Sequence, residues 1–143
     1  MPVKIIVICT GNSVRSQMAH GFFENFLKNN AEIFSAGTNP CFVHPNAIKV
    51  MSEIGIDISQ HTSDNINKYS SIHFDFIITV CDYAKLVCPY LPGTGIRIHH
   101  GFEDPSILRN SDKHVLSNFR RVRDEIKNYC QNFIKVNNLT LPK

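Results

Sequence analysis

Two runs of branched apolar residues, each ending on a cysteine, constrain this chain more than anything else in it. Val3 to Ile8 is nearly unbroken and stops at Cys9, and Phe74 to Val80, with Phe76, Ile77, Ile78 and Val80, stops at Cys81. Apolar runs without polar alternation mark parallel strands covered on both faces. Around them, Met18, Ala19, Phe22, Phe23, Phe26 and Leu27 recur at helical spacing and predict a helix from Arg15 to Asn29. A shorter strand is expected over Ala31 to Ala36. A loop at Gly37-Thr38-Asn39-Pro40 and a helix begun near Pro45 and stopped at Gly55 should follow. Ile96 to Ile98 makes a fourth strand, and Val115, Phe119, Val122, Ile126, Tyr129, Cys130 and Phe133 mark one face of a long final helix. Strands alternating with helices predict an α/β fold of three layers, a parallel sheet with helices on both faces. Ligands then bind beyond the carboxyl ends of the strands, where Cys9 and Cys81 both fall.

The 143 residues, 43% of them hydrophobic, suit one domain spanning 1–143 with a single core. A net charge of +3 is too mild for the concentrated basic surfaces of nucleic-acid or membrane partners, so neither is expected. The apolar run before Thr10-Gly11-Asn12 is far shorter than a signal-peptide core or a membrane span, which makes a cytoplasmic location the expectation. Five unevenly spaced cysteines do not read as the disulfide framework of a small secreted domain. In a reducing compartment they point to redox catalysis or metal binding.

The segment Cys9-Thr10-Gly11-Asn12-Ser13-Val14-Arg15-Ser16 joins the end of a buried strand to the start of a helix. Gly11 and Asn12 tolerate the positive φ that turns successive amides inward, and the helix N-terminus adds partial positive charge. Arg15 supplies a planar, permanently charged fork for two oxygens. A tetrahedral oxyanion fits that cradle, and the same positive surroundings favour the thiolate form of a cysteine at its mouth. A bare Cys-x5-Arg is common by chance. Strand, Gly-Asn turn, hydroxyl and helix together make Cys9 the candidate nucleophile. Ser16 stands in a position to support its thiolate by a hydroxyl hydrogen bond.

These residues resemble the low-molecular-weight phosphotyrosine phosphatase superfamily and, within it, the thioredoxin-coupled arsenate reductases. The likeness runs on through Ser16-Gln17-Met18-Ala19, Ser35-Ala36-Gly37-Thr38, Gly55-Ile56-Asp57-Ile58-Ser59, His61-Thr62-Ser63-Asp64, Gly101-Phe102-Glu103-Asp104-Pro105 and the stretch from Phe119 to Lys127. It implies a four-stranded parallel sheet in the order 2-1-3-4. It also implies a three-thiol reaction, because reduction of arsenate to arsenite takes the two electrons that one disulfide releases, whereas phosphate ester hydrolysis needs neither additional thiol. Cys9 would attack arsenic, Cys81 would attack Cys9 as arsenite leaves, and Cys88 would attack Cys81, carrying a Cys81–Cys88 disulfide outward to thioredoxin, with glutaredoxin as the alternative reductant. Were residues 81 to 88 helical, their Cα atoms would lie about 10.5 Å apart. A disulfide needs under roughly 7 Å. That segment is therefore expected to unwind or fold back in turnover, with Pro89, Pro92, Gly93 and Gly95 on its far side.

Alternatives remain open at this level. Cys81 and Cys88 also read as small core residues, or as zinc ligands together with His99 and His100, although they lack the usual short ligand spacing. Cys41 and Cys130 show no relation to the loop and read as structural. Asp104, before Pro105, is the candidate acid for protonating a departing oxygen, beside the plainer reading of an Asp-Pro turn. A phosphatase of the same fold is the rival function. Against it, Ser106 stands after Pro105 where those phosphatases usually carry a tyrosine. Val14 occupies a position that is cysteine in many members, which the relay does not use. Asn12, Ser35 and Asp64 match the positions that hold a potassium ion in related proteins, but His20 stands where they usually carry glutamate. Imidazole is a poor ligand for a hard cation, so weak potassium dependence or none is expected, and no tightly bound cofactor. His61, His73 and His114 read as surface or interface histidines. Arg120, Arg121 and Arg123 read as a solvated helix face, part of it available to thioredoxin, and the chain is expected to be monomeric.

Overall fold

The computed structural model describes residues 2–81, 95–106 and 112–139. In chain order its elements are β1 (Val3–Cys9), α1 (Arg15–Leu27), β2 (Ala31–Gly37), α2 (Pro45–Ser52), β3 (Phe76–Thr79), β4 (Ile96–His99) and α3 (Asp112–Val136), with single 3-10 turns at Lys28–Asn30 and Ile66–Tyr69. The four strands form one parallel sheet in the order β2-β1-β3-β4, as the resemblance implies. The chain leaves β1 toward β2 on one side and returns to β3 on the other. Their carboxyl ends therefore open a crevice at the point where the strand order reverses.

Burial explains why the two apolar runs became central strands. Ile5, Ile6, Val7 and Ile8 are all fully buried, so β1 is covered on both faces. In-register partners share a face. Ile5 lies level with Phe76, whose ring meets Phe133 of α3 at 5.1 Å, and Phe133 in turn meets Phe23 of α1 at 5.5 Å. Ile6 lies level with Phe34, whose ring meets Tyr69 and Phe74 at 5.2 Å on the opposite face. Phe133 thus ties both long helices to the sheet, while α2 packs against α1 and α3.

Three elements are shorter than the sequence reading, while β1, β2 and β4 each run one residue further. The β3 ladder covers only Phe76–Thr79, because Asp75 and Val80 make single backbone bonds to Lys4 and Ile8 without completing the pairing. The first helix ends at Leu27, where Lys28 turns to φ 47° and opens the 3-10 turn. The second ends at Ser52, and Gly55 at φ 82° carries the reversal after it. The arginine face of α3 is also less solvated than its composition suggests. Arg123 is buried, donating from Nη1 to the Val50 carbonyl at 2.9 Å and to Glu53 at 3.1 Å, while Arg120 forks onto Glu53 at 2.8 and 2.9 Å. Two of the three arginines therefore fasten α3 to the end of α2.

Phe133→Ala removes the ring shared by α1, α3 and β3, and should lower unfolding free energy by about 3–5 kcal/mol. The exposed Phe42→Ala should change it by less than about 0.5 kcal/mol. Urea unfolding of both variants, followed by circular dichroism, checks the contrast.

Candidate active site

The loop after β1 is shaped by where its carbonyls point. The carbonyl of Cys9 accepts from the amide of Thr38 at 3.2 Å, that of Thr10 from Asn39 at 2.9 Å, that of Gly11 from Cys41 at 3.1 Å and that of Ser13 from His44 at 3.0 Å. Gln17 Nε2 takes the carbonyl of Asn12 at 3.1 Å. The peptides are trans among the described residues, so each following N–H points opposite to its carbonyl. The amides of Thr10, Gly11, Asn12, Ser13 and Val14 are thereby turned away from the segment that supports them. The pocket there has a volume of about 440 Å³ and is walled by Cys9, Thr10, Gly11, Ser13, Val14 and Arg15 from the loop, with Asp104 among the facing residues. Helix α1 starts at Arg15 with no side-chain cap and no acidic residue in its first turn, which leaves its amides and dipole for an anion.

Asn12, rather than Gly11, takes the left-handed conformation, at φ 46°. Its side chain holds it there. Oδ1 accepts from the Asp64 amide at 2.9 Å, and Nδ2 donates to Ser16 Oγ at 2.8 Å. Because Ser16 Oγ accepts from Asn12, its own hydrogen is free for Cys9 Sγ at 2.9 Å. This buried chain aims a proton at the sulfur. Arg15 is oriented from the 101–105 segment, donating from Nη1 to the Phe102 carbonyl at 3.2 Å and pairing through Nη2 with Asp104 Oδ2 at 3.4 Å. The other Asp104 oxygen accepts from the Ser106 amide and hydroxyl at 2.9 and 2.7 Å. Asp104 is thus both turn residue and pocket residue.

A second thiol stands beside the loop. β1 and β3 pair through Ile8 and Thr79, so Thr10 lies level with Cys81, and Thr10 Oγ1 meets Cys81 Sγ at 3.3 Å. Cys9, Cys41, Cys81 and Cys130 are free thiols. Cys88 and the segment expected to rearrange lie outside the described residues. Cys130 is fully buried on α3, as expected of a structural cysteine, and burial pushes its thiol pKa well up. Cys41 departs from expectation, since it is exposed in the pocket wall with its sulfur 3.7 Å from the Gly11 carbonyl. Its place follows from the backbone bond by which residue 41 supports the loop.

The positions that match a potassium site are each engaged with neighbouring side chains or backbone in this chain. Asn12 Oδ1 is taken by the Asp64 amide, and Ser35 Oγ lies 2.7 Å from His20 Nδ1. The Asp64 carboxylate already faces the Lys68 ammonium at 3.4 Å and the hydroxyls of Thr62 and Tyr69 at 2.8 and 3.2 Å. Burial and Asp64 push the Tyr69 phenol up to about 12. His61, read as a surface or interface histidine, is tied to Gln17 and Glu24, whereas His73 and His114 are exposed. Hydrogen bonds from His20 and then His61 hold the Glu24 carboxyl down to about 2, and burial lowers His20. Among the described residues, Cys81 gathers with neither His99 nor His100 into a metal-binding group. His99 Nδ1 lies 2.9 Å from Thr79 Oγ1, and the His100 ring stacks on Tyr129 at 4.4 Å.

Several contributors escaped the sequence reading. His44 lines the pocket. Its Nδ1 accepts from the Asn46 amide at 3.0 Å, and burial lowers its pKa. The imidazole before Pro45 was a readable signal for such a cap. Gln17 and Gly37 act through contacts between distant segments, for which no local pattern exists.

Residues 4–140 match the low molecular weight phosphotyrosine protein phosphatase family. An arsenate reductase of Halalkalibacterium halodurans is 44% identical over 90% of this chain and 93% of its own. The solved structure of an arsenate reductase in the phosphate binding state superposes with a TM-score of 0.76 at 35% identity, covering 93% of this chain and 97% of the other. That of an arsenate reductase in an oxidized state superposes with a TM-score of 0.77 at 33% identity, covering 92% and 96%.

At Gly37, a Cβ would lie 2.4 Å from the Thr10 carbonyl oxygen and 2.9 Å from the Asn12 nitrogen, both backbone atoms that cannot rotate aside. Gly37→Ala should therefore displace the loop, cost about 1–3 kcal/mol of stability and lower kcat/KM for an oxyanion substrate by about 100-fold. Steady-state kinetics alongside urea unfolding separates the catalytic loss from the smaller loss of stability.

Proposed function

This chain belongs to the low-molecular-weight phosphotyrosine protein phosphatase family, and from that premise we propose that it reduces arsenate to arsenite through Cys9, Cys81 and Cys88, with thioredoxin as the terminal reductant. The carrying observation is the second thiol. A phosphatase uses the loop, Arg15 and an acid, whereas Cys81, level with Thr10 and 3.3 Å from its hydroxyl, gives electrons a way out of the site.

Arsenate is a tetrahedral oxyanion. Its equatorial oxygens take the amides of Thr10, Gly11, Asn12, Ser13, Val14, Arg15 and Ser16, and the Arg15 fork closes on two of them. As the anion arrives it competes with Asp104 for the fork, and the released carboxylate, once it has taken a proton from the incoming hydrogen arsenate or from water, is placed at the pocket to pass it to a departing oxygen. The Cys9 thiolate, supported by Ser16, attacks arsenic(V), and that oxygen leaves as water. The Cys81 thiolate then attacks Cys9 Sγ. The S–As bond breaks with its electron pair going to arsenic, which leaves as arsenite, while Cys9 and Cys81 join as a disulfide. Attack of the Cys88 thiolate on Cys81 frees Cys9 and moves the disulfide to Cys81–Cys88, which a dithiol of the thioredoxin or glutaredoxin type reduces. Two thiols supply the two electrons. A cytoplasmic, thiol-reducing compartment and a monomeric enzyme belong to the same reading.

The rival reading, hydrolysis of aryl phosphates, is favoured by the exposed Phe42 ring in the pocket wall, which offers a surface to an aromatic ester. Arsenate reduction with thioredoxin, thioredoxin reductase and NADPH decides between them. Wild type should turn over repeatedly, Cys9→Ser not at all, and Cys88→Ser once per molecule before stopping. Repeated turnover by Cys88→Ser would sink the relay, and rapid aryl phosphate hydrolysis without arsenate reduction would install the phosphatase reading.

The crowded cation positions carry a further expectation within this proposal. Replacing potassium by sodium in the assay should leave kcat and KM unchanged, because Lys68 already balances Asp64 and position 20 brings no carboxylate. A marked rise in kcat/KM with potassium would reverse that reading.

A further inference from the structure

Behind the oxyanion loop, three side chains that the proposed reaction does not use converge. His20 and Glu24 lie one turn apart on α1, and His61 approaches from the segment after α2. One ligand atom from each lies within 4.8 Å of the others. His20 Nε2 is 3.2 Å from Glu24 Oε2 and His61 Nε2 is 3.1 Å from Glu24 Oε1, with the rings 4.2 Å apart. Around a tetrahedral ion with bonds of about 2.0–2.2 Å, neighbouring ligand atoms stand about 3.3 Å apart. The two close contacts, each to a different Glu24 oxygen, are near that spacing, and the wider separation within the set needs only a small side-chain adjustment to close on an ion.

The outer hydrogen bonds follow the pattern of ligating histidines, whose second ring nitrogen is anchored to an oxygen. His61 Nδ1 lies 2.9 Å from Gln17 Oε1. The orientation of that amide is settled, because Gln17 Nε2 donates to the carbonyls of Asn12 and Thr62 at 3.1 and 2.9 Å. Oε1 is therefore the acceptor and His61 Nδ1 carries a proton. His61 Nε2 then aims its in-plane lone pair at a carboxylate oxygen, and two acceptors face one another unless a cation, either a proton or a metal ion, lies between them. His20 Nδ1 faces Ser35 Oγ at 2.7 Å. A hydroxyl donates or accepts equally well, so His20 is equally able to present a bare Nε2.

We propose that His20, Glu24 and His61 form a binding site for a divalent transition-metal ion of the zinc type, with water completing the coordination on the solvent side of Glu24. Two imidazoles and one carboxylate select such an ion over potassium, magnesium or calcium, which take oxygen ligands. Half-exposed Glu24 leaves an entry path. Through Gln17 the site also grips the Asn12 carbonyl, so an ion there would brace the loop from behind without touching its reacting atoms. The inference does not depend on arsenate being the substrate.

The test uses zinc itself, titrated in competition with a chromophoric chelator into the full chain carrying Cys9→Ser, Cys41→Ser, Cys81→Ser and Cys88→Ser, so that thiols do not compete. One equivalent of zinc should bind. Affinity should fall roughly tenfold or more in that background with Glu24→Gln or His61→Gln. Cobalt(II) should give visible d–d bands with no thiolate charge-transfer band, and zinc should raise Tm in the four-serine chain, which keeps only the buried Cys130, but not when Glu24→Gln is added. Glu24→Gln lies on the surface and leaves the core intact, which circular dichroism verifies. Zinc retained only when the thiols are present would overturn the proposal, as would equal affinity with and without Glu24 and His61.

Discussion

The site depends first on a set of backbone hydrogen bonds that contain no catalytic group. Amides from residues 38 to 44 take the carbonyls of Cys9, Thr10, Gly11 and Ser13, and peptide planarity turns the intervening N–H groups the other way. A cradle for an anion is therefore assembled by satisfying carbonyls, before any anion is present. This pre-organisation needs β2 and its following segment to lie hard against the loop. Gly37 permits it by having no side chain where Thr10 and Asn12 pass. Asn12 then supplies the one left-handed residue, locked by its own amide to Ser16 and to Asp64.

Charge is arranged on that frame so that each positive element has a temporary or distant partner. Arg15 is held by the Phe102 carbonyl and by an Asp104 carboxylate at 3.4 Å, a contact long enough to yield to an oxyanion that offers the guanidinium two oxygens. Asp104 keeps its second oxygen on Ser106 throughout, so its position does not depend on Arg15. The loop segment and the 101–105 segment follow different strands, β1 and β4. The sheet is what brings them together.

The parts of this protein readable from sequence are those in which function follows from neighbours along the chain. Strand, turn, arginine and helix start are contiguous between Val3 and Leu27, and the apolar faces of α1 and α3 repeat every three or four residues, so both were legible. What was not legible depends on segments far apart in sequence. Arg123 looks like one more charge on a polar helix, and only the Val50 carbonyl and Glu53 make it a buried clamp. Cys41 looks like a loop cysteine until its backbone amide is seen holding the Gly11 carbonyl. His61 gave no periodic or motif signal of its own, because its partners Gln17 and Glu24 sit about forty residues earlier on α1. The helix and strand ends moved for a similar reason, since single hydrogen bonds at Asp75 and Val80 decide where a ladder stops.

The parallel sheet also explains how one loop comes to serve a two-electron reaction. In parallel pairing, adjacent strands advance in the same direction, so the residues leaving β1 and β3 emerge side by side about 4.8 Å apart. A nucleophile at the end of one strand and a second thiol just past the end of the other are then neighbours by topology, with no loop needed to bring them together. Thr10 bonding to Cys81 is the visible result. Both cysteines are nearly shut off from solvent, with Cys9 at 2% and Cys81 at 4% relative exposure. A disulfide formed between them is sheltered from a protein reductant. In the proposed relay its oxidising equivalent passes to Cys88, seven residues further along the chain.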